Sequence, residues 1–147
     1  MTKNIQIKYP NLILKNKNHN IINLFSLTNC NVAVHYIIYD KKKKNIVNYG
    51  TNRPCGCNYH KSSIHAEELA INYCRSNNRN LDIYIWRWDK NGNIKKTNCC
   101  ISCTKLAEKY GYQNKIFTFN ENNQKCNAIT NNPLLSLSYM IKYNLKY

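Results

Sequence analysis

The sequence predicts a single α/β domain in which helices sandwich a mixed β-sheet, and three observations predict it. Strand-like stretches at 32–39, 45–49, 81–88 and 115–119 are interleaved with helical stretches at 64–77 and 101–110. Strands alternating with helices pack as layers of sheet and helix. The 147 residues suffice for one sizeable core, and with no internal repeat and no linker, 1–147 reads as one unit.

Each element has a local reason. Residues 1–20 are polar with scattered Ile and Leu, and Pro10 interrupts any long helix. Ile21, Ile22, Leu24, Phe25 and Leu27 come close to helical spacing and suggest a short amphipathic helix. Residues 32–39 are β-branched and aromatic and read as a strand. Asp40 and the lysines 41–44 turn the chain, and 45–49 return as the hairpin partner with a solvated tip. Residues 50–61 form a loop carrying Pro54, Cys55, Gly56 and Cys57. Ser62 or Ser63 is a good N-cap for the helix at 64–77, where Ala66, Leu69, Ala70, Tyr73 and Cys74 share a stripe. Alternation along 81–88 puts Tyr84, Trp86 and Trp88 on one face. Such a face can stack bases, but packing beneath a helix is the favoured reading. Asn91-Gly92 is the strongest two-residue hairpin signal. The helix at 101–110 ends at Gly111, and a strand follows at 115–119. Residues 120–132 are polar and irregular, and Leu134, Leu135, Leu137, Met140 and Ile141 after Pro133 can form a terminal helix.

Lys+Arg 22 against Asp+Glu 7 gives a net charge of +15, which would suit a nucleic acid or the phosphates of a nucleotide. Heavy use of Asn, Lys, Ile and Tyr is equally what AT-rich coding DNA produces, and lysines are spread from Lys3 to Lys146 with one dense run at 41–44. Charge alone therefore selects no function. Residues 1–22 have no long apolar core behind their basic residues, so no secretory signal is expected. No run reaches the length needed to span a bilayer. Eight Cys without a secretory signal point to a reduced, cytoplasmic protein rather than a disulfide framework. Cys30, Cys74 and Cys126 are then small core residues or free thiols.

The chemistry concentrates in His65-Ala66-Glu67 and, 33 residues after Glu67, in Cys100-Ile101-Ser102-Cys103. One imidazole and two thiolates fill three corners of a tetrahedral Zn²⁺ and leave the fourth for water, the layout of a catalytic zinc site. Glu67 is not needed as a ligand and is free to move protons. Cys100 and Cys103 stand about 60° apart around a helix, so both leave one face, and a helix N-terminus favours their thiolate forms. His65 and Glu67 are about 200° apart on an ideal helix, so they converge only if His65 lies at its very start.

This His-x-Glu…Cys-x-x-Cys arrangement resembles that of the cytidine deaminase superfamily of zinc-dependent nucleobase deaminases, over roughly residues 30–120. Gly50-Thr51-Asn52-Arg53-Pro54 is similar to the Gly-x-Asn-Arg-Pro stretch of tRNA adenosine deaminases. The resemblance implies a cytidine deaminase-like fold, zinc held by His65, Cys100 and Cys103, and Glu67 as proton shuttle. It also implies that Asn52 and the Ala66 backbone orient the base, whereas Glu68 only complements the helix dipole. Two departures stand out. The family has proline immediately before Cys100 and this chain has Cys99, which also makes Cys99 an alternative ligand. Residues 89–98 insert an extra hairpin between strand and zinc helix.

The implied activity is hydrolytic deamination of a nucleobase by a zinc hydrolase, with cytosine in a nucleoside or nucleotide as leading substrate. A base within RNA or single-stranded DNA is the alternative, favoured by the charge and by Asn52-Arg53-Pro54. The rival of another class is a non-catalytic zinc module for nucleic acid, its metal closed by Cys55, Cys57 or His60. The expected partners are thus a nucleoside or nucleotide, or single-stranded nucleic acid; no membrane is expected, and a homo-oligomer stays open.

Overall fold

A computed structural model describes residues 9–16, 34–51, 65–77, 81–89 and 91–133. The amphipathic helix at 21–27, the first residues of the strand at 32–39, Cys30, Asn52 with nearly all of its loop, the Ser62-Ser63 cap and the terminal helix after Pro133 lie outside the described residues.

The central strands are β1 (His35–Asp40) and β3 (Leu81–Trp88), which pair antiparallel with His35 opposite Trp86 and Asp40 opposite Leu81. Both are buried at nearly every position and rich in Ile, Tyr and Trp, as strands covered on both faces are. β2 (Asn45–Thr51) flanks β1 as an antiparallel neighbour. β5 (Ile116–Phe119) lies parallel to β3 on its other side, and β6 (Lys125–Asn127) closes that edge antiparallel to β5. The short β4 (Ile94–Lys95) folds back on the end of β3, making six strands in the order β2-β1-β3-β5-β6 with β4 beside β3. The sheet is therefore mixed, as expected of an α/β domain.

The first hairpin turns through 41–44, where the Asp40 carboxylate accepts the Lys42 and Lys43 backbone N–H groups and Lys44 takes φ 53. All four lysines are exposed, the solvated tip that the sequence suggests. Gly50 faces Tyr36 in the β1–β2 register, and a Cβ there would meet the tyrosine ring and hydroxyl at 2.7–2.9 Å. The glycine that opens Gly50-Thr51-Asn52 thus has a packing reason of its own. In the inserted hairpin, Asp89 accepts the N–H groups of Asn91 and Asn93 at 2.9 Å, and Gly92 adopts φ 78.

Helices cover both faces. On one, α2 (Ala66–Asn77) and α3 (Ile101–Tyr110) pack on each other, and α2 packs on β1 and β3. Ala66, Ala70, Ile71 and Cys74 of α2 and Cys103 and Ala107 of α3 enclose Ile38, Ile83, Ile85 and Ile116. Gly111, at φ 77, ends α3 in a left-handed cap, with the Tyr112 N–H returning to the Ala107 carbonyl at 2.8 Å. On the other face Ile37, Tyr84, Trp86, Trp88 and Phe119 are buried with Ile13 of α1 (Asn11–Asn16). Tyr84 stacks on Phe119 at 5.4 Å and Trp86 meets Trp88 edge-on at 5.7 Å. The three aromatics of β3 are core, not a stacking platform.

Two elements differ from the sequence reading. Pro10 does not merely interrupt; it precedes α1, and its carbonyl accepts the Ile13 N–H at 3.0 Å, the helix-start role in which a missing N–H costs nothing. Residues 120–132 are not wholly irregular. Asn120 accepts the N–H groups of Asn122 and Gln124, Asn123 turns through φ 62, and the returning chain forms β6. No helix among the described residues is long and apolar enough to cross a membrane.

Candidate metal centre

Two helix N-termini converge at the end of the sheet where β1 begins and β3 ends. His65 immediately precedes α2, and its carbonyl accepts the Leu69 N–H at 3.1 Å. It is the N-cap rather than a first-turn residue. That position meets the requirement that an i, i+2 pair share a site only where the chain enters the helix. Cys100 is the N-cap of α3, in extended conformation at φ −69 and ψ 173, with its carbonyl accepting the Thr104 N–H at 2.9 Å and hydroxyl at 2.8 Å. Cys103, in the first turn of the same helix, faces the same way.

His65 Nδ1 lies 3.3 Å from Cys103 Sγ and 3.5 Å from Cys100 Sγ. The three donor atoms lie within 4.8 Å of one another. Ligand bonds of 2.0–2.3 Å on a tetrahedron place neighbouring donors about 3.5 Å apart. The imidazole and two thiols are therefore close enough to hold one metal ion. Cys99, the alternative ligand, does not join the group. Its side chain is buried in the core, and its N–H donates to the Ala128 carbonyl at 2.9 Å, tying the loop before α3 to the chain after β6. Cys55, Cys57 and His60 lie outside the described residues.

The electrostatics of the group follow from its crowding. Cys100 is held as a thiolate, its pKa lowered to about 4 by the hydrogen bond from the Cys103 thiol and then by His65. Cys103 is correspondingly pushed far up, because it donates to Cys100 and is buried. The Cys100 thiolate also raises the His65 pKa, outweighing the effect of burial. The metal-free group thus keeps one negative sulfur among shared protons, and a cation that binds all three donors must displace them.

Glu67 sits in the first turn of α2, almost fully buried, with Oε2 3.9 Å from His65 Nδ1. Burial raises its pKa, and the neighbouring Cys103 and His65 only partly oppose that. Glu68, next in the chain, is exposed. Ala66, between His65 and Glu67 in the chain, is fully buried. His65, Glu67 and Cys100 open onto a cavity of about 390 Å³, which Val34, Arg87, Lys96 and Asn98 also line. The sequence reading did not single out these last four. Alternation along β3 was the signal for Arg87, since Ile83, Ile85 and Arg87 share the face that carries α2 and α3.

The chain matches no known family model, and a comparison with curated proteins finds no match.

Proposed function

We propose that this chain is a metal-dependent hydrolytic deaminase that removes the amino group of a nucleobase, with cytosine in a nucleoside or nucleotide as leading substrate. The observation that carries the reading is the convergence of His65, Cys100 and Cys103 on one point, with a buried, non-ligating Glu67 beside them and a cavity in front. The donor set suits Zn²⁺, which when bound supplies a Lewis acid that makes water acidic near neutral pH.

The chain's own residues do the rest. The reaction adds water across the amino-bearing ring carbon and expels ammonia, so two protons must be moved. Glu67 takes the first from the attacking water and gives it to the ring nitrogen, then takes the second from the new hydroxyl and delivers it to the amine as the carbon–nitrogen bond breaks and the carbonyl forms. Its raised pKa suits a group that must both accept and release a proton. Asn52 and the Ala66 backbone orient the base in this reading. The free thiols at the site suit a reducing, cytoplasmic setting.

The placement of the lysine run supports a small substrate over a polynucleotide. The cavity lies where β1 begins, and residues 41–44 follow its far end, roughly 20 Å away for a strand of this length. The test is ammonia release from cytidine, deoxycytidine, their monophosphates and short single strands, with metal content measured on the same sample. Turnover of a cytosine nucleoside or nucleotide by chain carrying one metal ion is the expected result. Metal-loaded chain that is inert on the whole panel would overturn the reading.

A further inference from the structure

Arg87 and Lys96 are not used by the chemistry above, yet both line the cavity that His65, Glu67 and Cys100 open onto. Arg87 is on β3 in the register opposite Lys95, and Lys96 follows β4 directly, so β3 brings Arg87 to the cavity and the inserted hairpin brings Lys96. The Arg87 Nε is buried and meets no hydrogen-bond partner among the described residues. Neither side chain forms an ion pair among them, and Glu67 is the one acidic group on the described lining. A buried polar group without a partner is costly. Arg87 as a whole is half-buried, so its guanidinium carries one buried, unpartnered nitrogen beside the cavity. Such a group is complementary to an anion that arrives with the ligand, and its planar fork matches phosphate oxygens.

We propose that Arg87, with Lys96, forms the subsite for the substrate's phosphate, so that the chain acts on a cytosine mononucleotide in preference to a nucleoside or a polynucleotide. The proposal rests on the deaminase reading for the identity of the base, and on Arg87 for the phosphate. The cavity, at about 390 Å³, is at the small end of the range of roughly 300–1,000 Å³ that holds single small ligands. Lys96 belongs to the insertion at 89–98, whereas Arg87 is on β3 just before it. The inserted segment therefore contributes one of the two cations that would distinguish nucleotide from nucleoside.

The test compares kcat/KM for CMP and dCMP with that for cytidine and deoxycytidine, using zinc-loaded full chain, Arg87→Gln, Arg87→Lys and the exposed-site control Lys42→Gln. The monophosphate-to-nucleoside ratio should be large in the parent and in Lys42→Gln. It should fall roughly 10- to 100-fold in Arg87→Gln, as for loss of a charge-assisted hydrogen bond, mainly through KM, with Arg87→Lys between. Equal use of nucleosides and nucleotides, a ratio indifferent to Arg87→Gln, or activity confined to single strands would overturn the proposal while leaving deamination standing. Calorimetric binding of CMP and cytidine to the Glu67→Gln chain separates the two claims if no ammonia is released from any cytosine compound. CMP that binds tighter than cytidine only while Arg87 is present supports the subsite, and equal binding refutes it.

Discussion

Replacing Cys99 by proline pits the structure against the family resemblance. The resemblance makes proline the expected residue before Cys100, and a consensus argument would have it stiffen the loop and stabilise the protein. In the structure the Cys99 N–H donates to the Ala128 carbonyl at 2.9 Å, and both residues are buried. Proline has no N–H, so the carbonyl is left unsatisfied at a cost of about 1–3 kcal/mol, against a gain of about 0.4–1 kcal/mol from restricting the unfolded chain. The net is a destabilisation of about 1–2 kcal/mol, or roughly 3–6 °C in Tm for a chain of this size. Thermal unfolding followed by circular dichroism, in matched zinc, reads it directly. Cys99→Ala, which keeps the N–H, is the control for the lost sulfur. Cys99→Pro should be the less stable of the two and should yield zinc faster to a chelator, because the next residue is one of the three proposed metal donors. A proline variant as stable as the parent would refute the claim that this hydrogen bond replaces the ring constraint.

Three further outcomes are expected. Zinc should co-purify at close to one per chain and be lost from the Cys100→Ser, Cys103→Ser double variant; a metal at a thousand times its Kd adds about 4 kcal/mol of stability, so chelation should lower Tm in the parent and not in that variant, and full metal retention by the variant would count against the site. His35, buried against Trp86 and Trp88, has its pKa lowered by burial from 6.5 to about 4. Only the unfolded chain binds this proton between those values, so stability should fall as pH drops through that window, by on the order of 3 kcal/mol at its lower end; urea unfolding at pH 7 and 4.5 should show a steeper loss in the parent than in His35→Gln, and equal slopes would refute it. Changing Lys41, Lys42, Lys43 and Lys44 to Gln should leave mononucleotide turnover unchanged. A steep salt dependence of single-strand binding that needs those lysines, with no mononucleotide activity, would reverse the choice of substrate.

The metal group was legible because its constraint is local. Cys100 and Cys103 share a helix face by spacing alone, and the i, i+2 separation of His65 and Glu67 required His65 to lie at the very start of its helix; the cap was expected at Ser62 or Ser63, and the structure places it at His65. The same logic gave the interleaved strands and helices, whose apolar runs are long enough to declare their period. What was not legible depends on distant partners. α1 is six residues long and is held by Ile13 in the aromatic core and by Asn123, which accepts the Asn11 N–H and donates to the Tyr9 carbonyl. No nearby residue announces that clamp. β6 has neither alternation nor branched residues, and exists because the free edge of β5 gives its backbone a partner. Arg87 reads as the polar interruption of an aromatic strand, and only the fold reveals that it looks into a cavity. Spacing already favoured Cys100 over Cys99 as the partner of Cys103, and the structure agrees: the Cys99 N–H donates to the Ala128 carbonyl and its side chain is buried, while Cys100 Sγ lies 3.5 Å from His65 Nδ1.

The most direct test of the central claim is ammonia release from a cytosine nucleotide by parent, Glu67→Gln and Glu68→Gln chains matched for zinc content. Glu67 is buried beside the metal donors and Glu68 is exposed, so adjacent carboxylates should part company. Glu67→Gln should keep its zinc and lose turnover by about 10²–10⁴-fold, while Glu68→Gln stays near the parent. Equal activity in the two variants, or no ammonia from zinc-replete parent chain, would contradict the account.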